Sequence, residues 1–296
     1  MPTLLDFRRR IRSVKNSQQI TRAMKFVAAA RLRRAQEAAL AARPYANELA
    51  RVLRSTMARI QEPQHPLLER REEKNVLAIV LTGERGLAGA FNTNILRKAT
   101  EFFRAHRDKR ILTIPVGKKG RDALKKAGFT FAGEWVNVLA RVDFKTAREI
   151  AKLATDLYAE KKADSVYIIF SEFKSVMAPN LTVEKLLPVE AIREEKSGSD
   201  EKESGKSIET QVDYIYEQPE AQLLDKLLPR YVETQILRAM LESSASEYAA
   251  RMTAMESATK NAGDVIEALT LHMNKVRQAA ITKEIIEIVS GAAYGA

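Results

Sequence analysis

The sequence predicts a long antiparallel α-helical coiled coil, formed by the N- and C-terminal segments, with an α/β domain inserted between them. Residues 4–60 and 231–289 both repeat apolar residues at alternating steps of four and three. This repeat is typical of a left-handed coiled coil. The residues between them alternate short apolar runs with helix-like segments, which indicates a sheet covered by helices.

The first helix is predicted to run to about Arg59, where a stretch containing Pro63 and Pro66 follows. Pro44 lies inside this helix and predicts a kink, because proline removes a backbone hydrogen bond. At 1.5 Å per residue each terminal helix is roughly 80 Å long. The predicted seam is the row of apolar positions along which the two helices pack. In the first helix it consists of Phe7, Ile11, Val14, Ala28, Leu32, Ala35, Ala39, Ala42, Ala46, Leu49, Leu53 and Ile60. Alanine is common in this row and permits close approach of the two helices.

The inserted domain is predicted to be Rossmann-like and to span residues 74–217. Its strands are the short apolar runs, and its helices lie between them. The predicted strands are Val76–Leu81, Ile111–Val116, Phe129–Ala132, Trp135–Val138, Ser165–Phe170, Leu181–Val189 and the edge strand Ile208–Tyr216. The predicted helices are Asn94–Ala105, one between Gly117 and Gly128, and one capped by Asp143 that runs to about Lys161. Residues 193–207 are charged or small and are expected to form a disordered loop.

The last helix is predicted within residues 219–296, with a break at Pro229. Together with residues 1–60 it forms the discontinuous coiled coil. Its seam continues the alternation of fours and threes: Leu241, Ala245, Tyr248, Met252, Met255, Ala262, Ile266, Leu269, Met273, Val276 and Ala280.

The positive charge of the chain is concentrated in the first helix. Residues 1–60 contain fourteen Lys or Arg and three Asp or Glu, so 14 − 3 = +11, which equals the net charge of the whole chain. Such asymmetry predicts an acidic or polyanionic partner. One alternative is therefore a basic coiled coil that binds nucleic acid in a salt-dependent way.

Several kinds of chemistry are excluded by composition. The chain has no cysteine, which removes disulfides and thiolate sites, and its three histidines are scattered. No apolar run approaches the ~18 residues of a membrane span, and no secretory signal follows Arg8–Arg10. No catalytic set is apparent. We therefore expect a soluble protein without a cofactor or catalytic activity, located in the cytoplasm or on the cytoplasmic face of a membrane.

A glycine-rich turn follows the first predicted strand at Gly83, Gly86 and Gly89. A turn in this position is where doubly wound proteins bind phosphate, so a nucleotide-dependent enzyme is a further alternative. The spacing is not G-x-G-x-x-G, however, and no Gly-Lys-Ser/Thr follows. The sequence favours a tight turn that presents Arg85.

The coiled-coil seam lapses at two places. Gln18, Thr21 and Lys25 are polar seam positions, while Ile20, Met24 and Val27 form a stripe on a neighbouring face. Near the other end Lys283 occupies a seam position, and Ile281, Ile285 and Ile288 move off the seam. We expect the two lapses to lie near the same tip and the apolar residues there to contact another protein.

Three segments resemble the gamma subunits of F-type ATP synthases of the bacterial type. One is residues 9–32 (RRIRSVKNSQQITRAMKFVAAARL) and one is residues 85–92 (RGLAGAFN). The third is the C-terminal part, which carries two motifs, AARM at 249–252 and NKVRQAAITKE at 274–284. The resemblance covers the whole chain. Where the family often has Ser-Asp-Arg-Gly-Leu-Cys-Gly-Gly, this chain has Gly83-Glu84-Arg85-Gly86-Leu87-Ala88-Gly89-Ala90.

The resemblance implies the central rotor shaft of F1Fo, which transmits torque between the membrane c-ring and the catalytic alpha3beta3 hexamer. Implied partners are the alpha, beta and epsilon subunits and the c-ring, with no nucleic acid, no small-molecule substrate and no cofactor. The implied location is peripheral, on the cytoplasmic side of the cell inner membrane. The residues implied to contact or act on the hexamer are Met24, Lys25, Arg85, Asn92, Arg251, Arg277, Gln278, Thr282 and Glu284.

Overall fold

The computed structural model describes residues 3–59, 65–175, 179–189 and 220–294. Two long helices lie at the ends of the chain, and five strands alternate with three shorter helices between them. In chain order the elements are α1 (Leu4–Arg59), β1 (Asn75–Leu81), α2 (Phe91–Ala105), β2 (Arg110–Val116), α3 (Lys118–Lys126), β3 (Thr130–Phe131), α4 (Phe144–Ala159), β4 (Ser165–Phe173), β5 (Pro179–Leu187) and α5 (Glu220–Tyr294). The predicted combination of terminal helices and a central sheet is confirmed.

The helix break predicted at Pro229 is wrong. α5 continues through this residue from Glu220 to Tyr294. The hydrogen bond lost at the proline is tolerated because Leu228 and Val232, on the adjoining turns, are fully buried and hold the helix by tertiary packing. α1 also continues through Pro44, and the kink expected there stays a prediction.

The sheet is mixed and has the strand order β3-β2-β1-β4-β5. β1 pairs in parallel with β2 and with β4, so that Ile79 lies beside both Ile114 and Ile168. β3 extends the parallel part, and β5 is antiparallel to β4. Since β2 and β4 lie on opposite sides of β1, the strand order reverses there, as in doubly wound α/β proteins.

Most of the predicted elements agree with the structure to within a few residues. The strand predicted at Trp135–Val138 is wrong: Trp135 makes only an isolated bridge to Val116, and Asn137, with φ 62°, turns the backbone out of an extended conformation. Asp143 stands at the N-cap of α4 as predicted, but its side chain makes no capping hydrogen bond. The predicted loop 193–207 and the predicted strand Ile208–Tyr216 lie outside the described residues.

The chain divides into two compact units. The first, here called the hairpin unit, contains residues 1–30, 87–89 and 249–296; the second, the α/β unit, contains residues 31–86 and 90–248. The sequence-based division into a coiled coil (1–60 and 219–296) and an inserted domain (74–217) stays a prediction.

In the hairpin unit the start of α1 packs antiparallel against the second half of α5. The ring centroids of Phe7 and His272 are 5.0 Å apart, and Phe7, Ala28 and Met255 are at most 4% exposed. The remaining seam positions opposite α1 are half-buried: Ile11, Val14, Met252, Ala262, Ile266, Leu269, Met273 and Val276. Ala280 is half-buried as well, but it lies beyond the part of α5 that α1 reaches. The predicted heptad seam is confirmed here.

The core of the α/β unit is built on β1, whose residues from Val76 to Leu81 are completely buried. Residues from both long helices belong to this core, among them Leu53, Val232 and Ile236. A residue of α4, Tyr158, is fully buried as well and donates a hydrogen bond from its hydroxyl to the carbonyl of Glu69.

An ionic cluster around Glu73 lies where β1, β2, β4 and β5 come together. The Glu73 carboxylate is 2.9 Å from Nζ of Lys109 and 3.0 Å from Nζ of Lys185, and it accepts a 3.0 Å hydrogen bond from the Tyr167 hydroxyl. Burial by itself would raise the pKa of Glu73, but the hydrogen bonds from Lys109, Lys185 and Tyr167 outweigh it and lower the pKa to about 2.

This cluster predicts an acid-sensitive contribution to stability. Because the folded-state pKa of Glu73 is depressed, the contribution is present above the ordinary carboxyl pKa of ~4.5 and is lost as the pH falls toward 2. Glu73→Gln is expected to lower the free energy of unfolding by about 1–2 kcal/mol at pH 7, after allowance for solvent screening, and to flatten its fall below pH 5. Urea unfolding at several pH values measures both effects. Glu72→Gln, at an exposed carboxylate paired with Lys74, is the matched control; equal effects of the two substitutions would contradict this account.

Candidate interaction site

A layer of polar side chains crosses the apolar seam of the hairpin unit. Thr21 and Thr259 have their hydroxyl oxygens 2.8 Å apart, and Nε2 of Gln18 donates a 3.3 Å hydrogen bond to the carbonyl of Thr259. Nζ of Lys25 is 2.6 Å from Oε1 of Glu256. The seam lapse predicted at Gln18, Thr21 and Lys25 is therefore a place where the two helices pair through polar contacts, not a place where they part.

The hydrogen bonds of this layer depend on one another. Each threonine hydroxyl also lies near a carbonyl of its own helix: Thr21 is 3.0 Å from Gln18 and Thr259 is 2.7 Å from Met255. A hydroxyl has one proton, so one threonine donates to the other while the second donates to its own helix. A slip of the helices along each other would leave each threonine hydroxyl with only the carbonyl of its own helix, and Nε2 of Gln18 without its partner in a half-buried seam, which is costly.

The expectation that the two seam lapses share one tip is wrong. The first lapse lies opposite Thr259, whereas the second begins at Ile281, roughly 33 Å further along α5 at 1.5 Å per residue. The second lapse has a different cause. Phe7 is opposite His272 and α1 begins at Leu4, so α5 residues beyond about 276 have no described α1 residue to pack against.

The unpaired end of α5 carries an exposed apolar surface. Residues 281–290 are all exposed, and Ile285 and Ile288 are 55% and 71% exposed. Ile286 and Val289 belong to the same exposed group, although the heptad analysis did not single them out. An apolar group of this size with charged neighbours, such as Lys283 and Glu284, is typical of a protein contact.

The stripe beside the polar layer is also exposed in part. Ile20 and Val27 are 61% and 53% exposed, whereas Met24 is half-buried. Phe26, which sequence reasoning did not assign to this surface, is 61% exposed.

The other candidate residues of the hairpin unit lie on α5. Arg277, Gln278 and Glu284 are exposed, and Arg251 is half-buried. Thr282 is exposed and donates its hydroxyl proton to the carbonyl of Gln278 at 3.0 Å. In the part of the chain that the structure describes, these residues form a charged and polar surface, not a cavity.

Arg85 and Asn92 belong to the α/β unit. Arg85 is exposed, as predicted for a residue presented by a tight turn. Asn92 is half-buried and holds the turn: its Oδ1 accepts from the backbone N–H of Gly83 at 2.8 Å, and its Nδ2 donates to the carbonyl of Arg85 at 3.4 Å. The structure thus gives Asn92 a positioning role.

The edge of the sheet at which doubly wound proteins bind phosphate is filled by carboxylates of this chain. A Cβ at Gly83 would lie 2.9 Å from Oε1 of Glu247, a residue that is only 6% exposed. The carboxylate of Glu84 accepts the backbone N–H of Lys118, at the start of α3, and that of Val138, at 3.0 and 3.2 Å. A phosphate would have to displace these negative charges, so the geometry opposes a nucleotide site at the glycine-rich turn.

Buried serines of α5 complete this edge. The hydroxyls of Ser171 and Ser246 are 2.6 Å apart, and the hydroxyl of Ser244 donates to the carbonyl of Leu139 at 3.1 Å.

In the described ranges there is no cluster of three or more His, Asp or Glu side chains that could hold a metal ion. The helices described here also include none long and apolar enough to cross a membrane.

The fold and the exposed end of α5 define a class of protein, a helical hairpin joined to an α/β domain and equipped to contact larger partners. Its sequence matches the family described as ATP synthase over residues 3–293. The ATP synthase gamma chain of Solibacter usitatus is 48% identical over 99% of both chains, and that of Pelotomaculum thermopropionicum is 46% identical, also over 99% of both. The chain belongs to the ATP synthase gamma chain family.

Solved structures agree at the level of the fold. A chain of the Euglena gracilis mitochondrial ATP synthase containing OSCP, F1 and c-ring aligns with a TM-score of 0.67 at 21% identity, covering 98% of this chain and 93% of that one. A chain of the rotor of the same synthase aligns with a TM-score of 0.64 at 20% identity, covering 94% and 98%. The comparisons give no support to the nucleic-acid-binding alternative.

The polar layer predicts an energetic coupling between Gln18 and Gly263. Glycine inside a helix costs about 1 kcal/mol relative to alanine, but a Cβ at Gly263 would lie 3.2 Å from Nε2 of Gln18. Gly263→Ala is therefore expected to raise the free energy of unfolding by about 1 kcal/mol more in a Gln18→Ala background than in the unaltered chain. A double-mutant cycle by urea unfolding measures the difference, and strict additivity would contradict the proposed close approach.

Proposed function

We propose that this chain is the central rotor shaft of an F1Fo ATP synthase, transmitting torque between the membrane c-ring and the catalytic alpha3beta3 hexamer. In this way it couples ion translocation to ATP synthesis or hydrolysis. The observation that carries the proposal is the end of α5, where Ile281, Ile285 and Ile288 are exposed beyond the start of α1. Exposed apolar residues of this kind usually mark a surface that a partner protein covers in the assembled complex.

Torque transmission requires no chemistry from the shaft itself. A rotor that presents different side chains to three equivalent catalytic subunits stabilises a different conformation in each, and turning it exchanges those conformations. The exposed stripe Ile20–Val27 and the end of α5 give the hairpin unit surfaces that differ from face to face. A contact-dependent difference of about 1.4 kcal/mol between two conformations already changes their ratio tenfold.

We assign the contacts with the hexamer to the residues that the family motifs single out. Arg277, Gln278, Thr282 and Glu284 are exposed on α5 and are available to polar groups of a catalytic subunit. Lys25 in the polar layer, Met24 beside it and the half-buried Arg251 would act partly by fixing the local packing of the hairpin.

Arg85 is proposed to contact the hexamer directly. Asn92 would act on the same contact by holding the turn that presents Arg85, since it bonds to Gly83 and to the Arg85 carbonyl.

The remaining partners and the location follow from the same proposal. The α/β domain would bind the epsilon subunit and the c-ring, and the chain would lie peripherally on the cytoplasmic side of the cell inner membrane. We also propose that the chain is non-catalytic and needs no cofactor, which agrees with the carboxylates of Glu84 and Glu247 at the position where a doubly wound protein would hold phosphate.

The rotor role predicts that the contact residues affect coupling more than folding. Gln278→Leu and Met24→Lys are each expected to lower the number of protons pumped per ATP hydrolysed by at least about twofold, because each alters a contact that favours one catalytic conformation over another. Proton pumping and ATP turnover are measured on the same inverted membrane vesicles.

Two controls accompany this measurement. Glu267→Gln, at another exposed position of α5, should leave the ratio unchanged. Thermal unfolding of the purified chains should show that all three variants fold. Unchanged coupling in both Gln278→Leu and Met24→Lys would refute these contact sites, whereas failure of the chain to co-purify with the hexamer would refute the rotor role itself.

A further inference from the structure

The α/β unit contains a half-open cleft of about 380 Å³ that the rotor role does not use. It lies between α1, the end of β4 and α5. Its volume falls at the small end of the range of ligand sites, roughly 300–1,000 Å³. The cleft is lined by Arg43, Ala46, Asn47, Glu172, Phe173, Lys174, Arg238 and Glu242.

Two buried polar atoms on the wall of this cleft lack hydrogen-bond partners. Glu242 is only 5% exposed, and its Oε2 makes no hydrogen bond within the described ranges; the same is true of the buried Nε of Arg238. A buried polar atom without a partner is costly, and more so when its group is charged. A ligand that both donates and accepts hydrogen bonds would satisfy the two atoms together.

Some of the other charged side chains in the cleft already have hydrogen-bond or ion-pair partners within the chain. Glu172 accepts a 2.6 Å hydrogen bond from Nδ2 of Asn180 and is 3.8 Å from Nζ of Lys174. The Nη2 of Arg238 is 2.6 Å from Glu184. Arg43 is exposed, and the part of the chain that the structure describes offers it no ion-pair partner. The cleft therefore retains cationic donors beside one buried, incompletely bonded carboxyl group.

We propose that this cleft binds inorganic phosphate, whose dianion, the main form at pH 8, still carries one proton. Arg43, Lys174 and Nε of Arg238 would donate to its unprotonated oxygens, as basic side chains do at phosphate sites. Its P–OH group would donate to Oε2 of Glu242. This arrangement selects phosphate over sulfate, because fully ionised sulfate has no proton to donate to a carboxylate.

The environment of Glu242 supports this arrangement. Burial raises the pKa of Glu242, Arg238 and Arg43 oppose that effect, and the carboxylates of Glu172 and Glu184 reinforce it. An ionised and buried Glu242 thus carries a free-energy cost, and a ligand that donates a proton to a hydrogen bond with this carboxylate reduces it. The inference concerns a different part of the chain from the rotor contacts and does not depend on them.

The test is thermal unfolding of the purified full-length chain at pH 8 with increasing inorganic phosphate or sulfate at matched ionic strength. Both anions stabilise proteins weakly by exclusion from the surface, so sulfate controls for that effect. Phosphate is expected to raise the Tm with a saturable dependence, and sulfate to need an at least about tenfold higher concentration. Glycerol 3-phosphate in a parallel titration is a second control, because a phosphate monoester, with a second pKa of about 6, has lost its proton at pH 8. It should behave like sulfate, and stabilisation at the same concentrations as inorganic phosphate would contradict the contact with Glu242.

Three variants make the test specific. Arg43→Gln, at an exposed rim position, should abolish the saturable phosphate effect, and Arg104→Gln, at an exposed position outside the cleft, should preserve it. Glu242→Gln replaces the carboxylate by an amide that can donate to either anion, so the preference for phosphate should disappear. The proposal fails if phosphate gives no saturable rise in the unaltered chain, if sulfate matches phosphate, or if Arg43→Gln leaves the titration unchanged.

Discussion

The pairing of α1 with α5 in the hairpin unit depends on the polar contacts that cross its seam. Apolar residues such as Phe7, Ala28 and Met255 make the pairing favourable, but a heptad seam permits shifts by whole repeats. The contacts of Gln18, Thr21 and Lys25 with Thr259 and Glu256 are satisfied in one register only. Polar residues in coiled-coil cores commonly specify register in this way, at a cost in stability.

This register determines which apolar residues are left for a partner. Because Thr21 is opposite Thr259 and Phe7 is opposite His272, α1 begins opposite about residue 276 of α5. Ile281, Ile285 and Ile288 consequently have no described α1 residue against which to pack. The exposed end of α5 thus follows from the register of the pairing, and the proposed contact with the hexamer follows from that exposed end.

Much of the fold could be predicted because its signals are local. The heptad repeats of the two ends and the apolar runs of β1, β2 and β4 are visible in short windows of sequence. The position of the polar layer was less predictable. Gln18 and Thr21 could be identified as seam positions, but their partners depend on a register that the heptad pattern leaves open, and the two lapses were therefore wrongly expected at one tip.

The edge of the sheet that is occupied by carboxylates shows a second limit to what can be predicted from the sequence alone. The glycine-rich turn was interpreted as a tight turn on spacing alone. The geometric argument against a phosphate at this turn lies in Glu247, some 160 positions after Gly83, on a helix segment whose serines and glutamates look like a solvated face. Buried polar residues of this kind are predictable only when the tertiary partners of the segment are known.

The most direct test of this account is disulfide formation between cysteines introduced into the hairpin unit, since the natural chain has none. Thr21→Cys with Thr259→Cys should oxidise rapidly to an intramolecular disulfide in the native protein, because the two hydroxyl oxygens are 2.8 Å apart. Thr21→Cys with Ile281→Cys should not, because the two positions are separated by roughly 33 Å along the helices. Efficient cross-linking of the second pair, or none of the first, would contradict the register on which the account rests.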